Sequence, residues 1–259
     1  VHFDWQGNSA EVELTLEGAY DNDEISDVSK LLLEHSNKSA EWEELPSSVT
    51  REEFCNRLLR WREGTSTSPT GIHLGHYKSL LGRSKYSKEH EETEYWDFQS
   101  KRDDLIDFHV QLLNYAVTQK YVYDRWKSIV TCVIEKEPGN PKIHRIRIIH
   151  IYEANYSLLM GIQWTRALRN SMEKKTLNQG LHGAVPGHES KTPVHMETLK
   201  YDICHMTRKP LVNIDHDAVA CYDRILPNLS SLLSRKQGIH RNVVFVHGKT
   251  LENARYYLK

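Results

Sequence analysis

Carboxylates cluster directly after one apolar segment of the chain. The sequence "LVNIDHDAVACYDRI", residues 211–225, carries Asp215 and Asp217 at the end of an apolar run and Asp223 six positions after Asp217. Carboxylates held at the end of a strand suit Mg²⁺, which takes oxygen ligands and is bound by one or two carboxylates together with substrate phosphates. The same aspartates also suit a turn or a helix cap, where Asp is common. Spacing alone leaves both interpretations open.

Composition limits the classes of partner. The chain has 259 residues, of which 39% are hydrophobic and 27% charged, and its formal net charge is −1. This length allows one large domain or two small ones with a real core, and the net charge excludes a globally basic protein. Basic residues are nevertheless concentrated between Asp124 and Lys175, and local positive charge is what phosphate binding requires.

Cysteine spacing and hydropathy indicate the cellular compartment in which the protein is expected to occur. The four cysteines form no C-x-x-C pair, which favours reduced thiols and an intracellular protein, cytoplasmic or nuclear. No apolar run is long enough to span a bilayer, so we expect no membrane partner. The fifteen histidines have irregular gaps, which indicates structural roles better than a zinc site.

Hydrophobic periodicity predicts an α+β chain in which helices dominate. A capping box at Thr50 and Glu53 predicts the start of one helix. The alternating segment 126–151, with Pro-Gly-Asn-Pro at its centre, predicts a β-hairpin, and the apolar run before Asp215 predicts a strand over 211–216. Helices are predicted over 21–36, 48–61, a short stretch near His73, 96–119, 154–175, 193–207, 226–235 and 240–258.

The carboxylate segment also resembles a polymerase motif. The first palm motif of reverse transcriptases has Asp, four residues, an aromatic residue, Asp and an apolar residue two further on, and D-A-V-A-C-Y-D-R-I at 217–225 is similar to its retrotransposon-type form. Three upstream segments resemble the same family in the same order. These are "LRWREGTSTSPTGIHLGHYKSLL" at 59–81, "VIEKEPGNPKIHRIRII" at 133–149 and "HGAVPGHES" at 182–190.

The resemblance implies a helix-rich, partial right-hand polymerase. Residues 1–64 would form an acidic helical flank. Residues 65–259 would form part of a reverse transcriptase domain, with a fingers hairpin and the start of an antiparallel palm sheet.

The resemblance also assigns roles in the palm motif. Asp217 matches the catalytic, metal-binding aspartate, and the backbone carbonyl of Ala218 would be a second metal ligand. Tyr222 matches the aromatic residue that packs under the incoming sugar, although an ordinary core aromatic is the alternative. Asp223 and Arg224 complete the motif as supporting residues.

Basic residues of the hairpin match the family's nucleotide contacts. Lys136 and Arg147 correspond to a lysine and an arginine that contact the triphosphate of the incoming nucleotide. The family's Arg-Pro-Ile triplet is Arg-Ile-Ile here, and Arg145 lies two residues before Arg147. On a strand this spacing places both arginines on one face, so either could reach the ligand. The alternative is a basic hairpin that is merely solvated.

Later motifs of the family are absent from the sequence. Reverse transcriptases supply further carboxylates from an aromatic-x-Asp-Asp hairpin, and no such sequence follows residue 225. We therefore expect a fragment that is inactive alone. The complete protein would use Mg²⁺ or Mn²⁺, an RNA template, a DNA primer and dNTP, with its oligomeric state open.

Two other interpretations remain. One is a degenerate or host-adopted remnant that only binds nucleic acid or protein. The other is a metal-dependent phosphohydrolase built on the three aspartates of residues 211–225.

Overall fold

A computed structural model of the chain describes most of its residues. The described residues are 4–19, 26–36, 43–62, 64, 67–81, 92–140, 142–177, 181–183, 185, 187–189, 191–214 and 225–259. They form two compact units, one made of Val1–Thr165 with Pro227–Lys259 and the other of Arg166–Leu226. Among the described helices, none combines the length and the apolar character needed to cross a bilayer.

Helices make up most of both units, as the periodicity predicts. In chain order they are α1 (Ala10–Leu16), α2 (Asp27–Ser36), α3 (Arg51–Leu59), α4 (Leu74–Leu81), α5 (Glu92–Thr118), α6 (Ala154–Glu173), α7 (Lys191–Thr207), α8 (Pro227–Lys236) and α9 (Arg241–Glu252). The predicted capping box is confirmed. The Thr50 side chain accepts from the backbone N–H of Glu53, and the Glu53 carboxylate accepts from the backbone N–H of Thr50.

Helix α1 packs against α8 within the first unit. Val12 and Leu16 form a small apolar core with Leu232. The buried guanidinium of Arg235 donates to Glu13 at 2.9 Å, which gives this charge a partner inside the core. The boundary predicted after residue 64 stays a prediction.

The sheet contains the predicted hairpin and one unexpected strand. Strands β1 (Ser128–Glu135) and β2 (Ile146–Ile151) pair antiparallel, which confirms the hairpin. Strand β3 (Arg255–Leu258) pairs parallel to β1, so the strand order is β2-β1-β3. The prediction of helix up to residue 258 is therefore wrong. Helix α9 ends at Glu252, and the following residues satisfy the backbone groups of β1 instead.

The core of the first unit is built around Trp126. This side chain is fully buried and packs against the rings of Tyr123 and Tyr156, with centroid distances of 4.9 and 5.5 Å. Ile129 of β1 and Leu158 of α6 are buried as well. The hairpin thus leaves the core at the buried end of β1 and projects its far end into solvent.

Residues 211–214 of the second unit do not form the predicted strand. They have no regular structure, and Val212 and Ile214 are 82% and 71% exposed. The reason is that no described strand supplies hydrogen-bond partners to this part of the chain. The sheet that exists is mixed and is completed by β3, so the expected antiparallel palm sheet is not formed by the described residues. The fold class is α+β.

Candidate functional site

The palm motif lies outside the described residues. This holds for Asp215, Asp217, Ala218, Tyr222, Asp223 and Arg224. Among the residues that are described, no group of three or more His, Cys, Asp and Glu side chains could hold a metal ion. The metal, catalytic and sugar-contacting roles therefore stay predictions.

The register of the hairpin determines which side chains share a face. Cys132 lies opposite Ile149, and Ile134 lies opposite Arg147. Directly opposite residues of an antiparallel pair project to the same side of the sheet. Arg147 therefore shares a face with Cys132, Ile134 and Ile149, and Lys136 follows directly after the end of β1.

This face forms one wall of a pocket of about 430 Å³. The opposite wall is formed by the segment 67–73, which belongs to the Gly-, Ser- and Thr-rich stretch before α4. Two of the segments that resemble the polymerase family, 59–81 and 133–149, thus come together here. The lining residues are Trp61, Thr67, Ser68, Ile72, His73, Cys132, Ile134, Ile149, His150, Ile151, Tyr152, Ala154 and Ser157.

Two cations of the hairpin are available to a ligand. Lys136 and Arg147 are both exposed, and within the described parts of the chain neither side chain makes an ion pair or a hydrogen bond. The backbone N–H of Lys136 donates to the carbonyl of Arg145 at 2.8 Å, which holds the hairpin end together. Unpaired cations beside an apolar pocket are suited to a ligand that combines phosphate with a planar ring.

Arg145 has different surroundings from those we expected. It belongs to a short 3₁₀ turn, Ile143–Arg145, because β2 starts only at Ile146. Its guanidinium forms an ion pair with Glu137 across the hairpin turn. The expectation that Arg145 and Arg147 share one face of a strand is therefore wrong, and the role of Arg145 in nucleotide binding stays a prediction.

Glu153 ties the two walls of the pocket together. This side chain is 0% exposed and lies two residues after β2, immediately before α6. Its Oε2 accepts hydrogen bonds from the hydroxyls of Ser68 and Thr70, the latter at 2.8 Å. Sequence reasoning missed this residue because a glutamate just before a helix is typical of an exposed N-terminal charge.

The phenol of Tyr152 adds a neutral polar group to the lining. Burial, with a smaller contribution from Tyr256, raises the pKa of Tyr152 to about 12. Tyr152 therefore keeps its proton at neutral pH and can donate a hydrogen bond.

The glycine-rich segment of the second unit folds back on itself. The rings of His182 and His188 lie 5.4 Å apart, and Nδ1 of His188 is 3.2 Å from the carbonyl oxygen of Leu181. The resemblance of 182–190 to the family's glycine-rich segment stays a prediction.

No protein-family model matches the chain, and no curated protein matches it. Function must therefore be inferred from the residues and from the arrangement that the fold gives them.

Proposed function

We propose that the chain is part of a retroelement reverse transcriptase, an RNA-directed DNA polymerase that acts by two-metal nucleotidyl transfer in the full-length protein. The observation that carries the proposal is the antiparallel hairpin with Lys136 and Arg147 unpaired on it. These are the two residues for which the sequence resemblance implies triphosphate contacts.

The chemistry assigned to the hairpin is charge neutralisation. Phosphoryl and nucleotidyl transfer depend on positioning and on stabilising charge at the phosphates. Arg147 can hold two phosphate oxygens with its planar fork, whereas Lys136 supplies a compact point charge. The Asp217 carboxylate and the Ala218 carbonyl would hold Mg²⁺ or Mn²⁺, which stabilises the attacking and leaving oxygens when bound.

Equilibrium binding of a dNTP with Mg²⁺, measured by calorimetry, tests the hairpin assignment. Arg147→Ala should weaken binding about tenfold, corresponding to about 1.4 kcal/mol, because it removes an unpaired, charge-assisted contact. Arg145→Ala should have a smaller effect, because Glu137 already neutralises that guanidinium.

Arg169→Ala provides a control of the same chemistry, since Arg169 is exposed on α6 and lies outside the hairpin. Equal weakening by all three arginine variants would contradict the assignment of Arg147. If the wild-type chain binds no dNTP, the hairpin does not bind the triphosphate, and the proposal loses its main support.

A nucleic-acid-binding module without polymerase activity is the second candidate, and the pocket favours it. Single-stranded nucleic acid is bound by surfaces that combine cations for the backbone with apolar or aromatic walls for the bases. The pocket has apolar and aromatic walls, and the hairpin that supplies one of these walls also carries Lys136 and Arg147. Tight binding of an oligonucleotide together with no measurable dNTP binding would select this candidate.

A further inference from the structure

Strand β3 carries a cation, an aromatic ring and a second cation at alternate positions. These residues, Arg255, Tyr257 and Lys259, are named the β3 strip. The backbone N–H of Lys259 donates to the carbonyl of Thr131 at 2.9 Å, so the ladder with β1 continues one residue past the end of β3. Successive side chains of a strand point to opposite faces, so alternate residues share one face at a spacing of about 7 Å.

The β3 strip lies on the same face of the sheet as the wall of the pocket. Tyr257 lies beside Val130 of β1, and Val130 lies opposite Ile151 of β2, which lines the pocket. Val130 also precedes Cys132 by two residues, which places it on the face that carries Arg147. The strip, the pocket wall and Arg147 therefore look to one side of the sheet.

The side chains of the β3 strip are open to a ligand. All three residues are exposed, and Tyr257 is 48% exposed. Within the parts of the chain that the structure describes, neither Arg255 nor Lys259 makes an ion pair or a side-chain hydrogen bond, and Tyr257 makes no ring contact. Asp124 acts on Arg255 electrostatically, but its carboxylate is bonded to Lys127 at 2.7 Å. A ligand would therefore displace no internal partner of the strip.

Cations that alternate with an aromatic ring suit a single strand of nucleic acid. Lys and Arg neutralise phosphates, and every base has a face that can stack on an exposed ring. Residues 254–259 contain no carboxylate, so the strand itself does not repel a phosphate backbone. The bases of a duplex are stacked on one another, which leaves none for a ring on the surface of a strand.

We propose that the β3 strip binds single-stranded nucleic acid, with one base stacked on Tyr257 and with Arg255 and Lys259 in contact with phosphates. The inference rests on the proposed function in that the chain binds nucleic acid. It assigns residues to which neither the resemblance nor the hairpin gives a role. Because stacking tolerates every base, the strip binds without sequence preference.

Fluorescence anisotropy with a labelled oligo-dT of about ten nucleotides measures the contribution of the ring. Tyr257→Ala should weaken binding about tenfold, because it removes the stacking surface. Tyr257→Phe should bind like the wild type, since stacking uses the ring and not the hydroxyl. Tyr256→Ala is the matched control, because Tyr256 is adjacent in β3, is 54% exposed and points to the opposite face. This variant should keep the wild-type affinity.

The salt dependence of the same binding measures the contribution of the cations. Arg255→Gln and Lys259→Gln should each make the slope of log K against log salt concentration shallower by about 0.7, the value for one phosphate contact to a single strand. Arg169→Gln, at an exposed position of α6, should leave the slope unchanged. A duplex of the same length should be insensitive to Tyr257→Ala.

The outcomes separate this inference from the proposed function. Equal losses in Tyr257→Ala and Tyr256→Ala overturn the stacking role and leave nucleic-acid binding intact, and unchanged slopes in both cation variants overturn the phosphate contacts. Failure of the wild-type chain to bind the oligonucleotide at about 50 mM salt overturns the inference, whereas dNTP binding at the hairpin is measured separately and decides the proposed polymerase function.

A measurement on the wild-type chain decides the case if Tyr257→Ala does not fold, as judged by circular dichroism. An oligonucleotide that contains 5-iodouracil is irradiated in the complex, and the crosslinked residue is identified by mass spectrometry. A crosslink at Tyr257 supports the stacked base. Crosslinks confined to other residues overturn it.

Discussion

Acidification should destabilise the first unit through one partly buried histidine of α9, His247. The hydroxyl of Tyr156 lies 2.5 Å from Nδ1 of His247, and the two rings are stacked at an interplanar angle of 9°. Burial lowers the pKa of His247 from 6.5 to about 4. Burial also raises the pKa of Tyr156 well above 10, so the phenol keeps its proton beside a neutral imidazole.

The direction and the size of the change in the free energy of unfolding follow from the lowered pKa of His247. Between the unfolded pKa of 6.5 and the folded pKa of about 4, the His247 imidazole binds a proton in the unfolded chain but not in the folded chain. The stabilisation is therefore complete above pH 6.5 and is lost as the pH falls towards 4. At about 1.4 kcal/mol per pH unit, the full loss is about 3 kcal/mol, of which about 2 kcal/mol has occurred by about pH 5.

Urea denaturation followed by circular dichroism at about pH 7.5 and at about pH 5 measures the loss. His247→Asn keeps a side chain that can form a hydrogen bond with the Tyr156 hydroxyl but does not titrate, so this variant should lose about 2 kcal/mol less than the wild type over that interval. His195→Asn alters an exposed histidine of α7 and should leave the wild-type dependence unchanged. If the His247→Asn variant and the wild-type protein lose the same stability, carboxylates and not His247 cause the acid sensitivity.

Substitutions at three positions test the packing and the helix capping of the first unit by the same denaturation assay. Gly248→Ala should destabilise by about 1–3 kcal/mol despite its better helix propensity, because a Cβ there would overlap the backbone of Trp5; a stabilised variant would show that this contact is absent. Leu232→Ala should cost about 2–5 kcal/mol, since its side chain is fully buried against α1; a cost below about 1 kcal/mol would contradict that packing. Thr50→Ala should cost about 1 kcal/mol by removing the cap of α3, and Thr50→Ser should restore most of it.

Local sequence patterns were sufficient to predict secondary structure where the hydrogen-bonding partners are close in the chain. The hairpin alternates and turns within 126–151, so its two strands find each other without help from the rest of the fold, and it forms as predicted. The capping box at Thr50 is equally local and is confirmed. Strand β3 is different, because Arg255–Leu258 pairs with β1 from more than a hundred residues earlier. No periodicity within 240–258 could reveal a partner that distant.

The same distinction applies to the candidate site. The resemblance implied nucleotide contacts for Lys136 and Arg147 and left Arg145 as an alternative. The structure separates the two arginines, because β2 starts only at Ile146 and Arg145 pairs with Glu137. The pocket could not be predicted, since its walls come from segments about sixty residues apart. The palm residues around Asp217 remain where the resemblance places them in sequence, outside the described residues.

At Glu153 the local sequence pattern predicts an exposed charge, whereas the fold buries the side chain. Hydrogen bonds to Ser68 and Thr70 explain why a polar side chain should stand there, since they fasten the segment 67–73 beside the hairpin. They leave the other buried oxygen, Oε1, without a hydrogen bond from any described residue. Sequences that obey packing and hydrogen-bonding rules elsewhere tend to break them at functional or strained positions. Glu153 is such a position, because its buried carboxylate fastens two segments about eighty residues apart and could not be recognised from either segment alone.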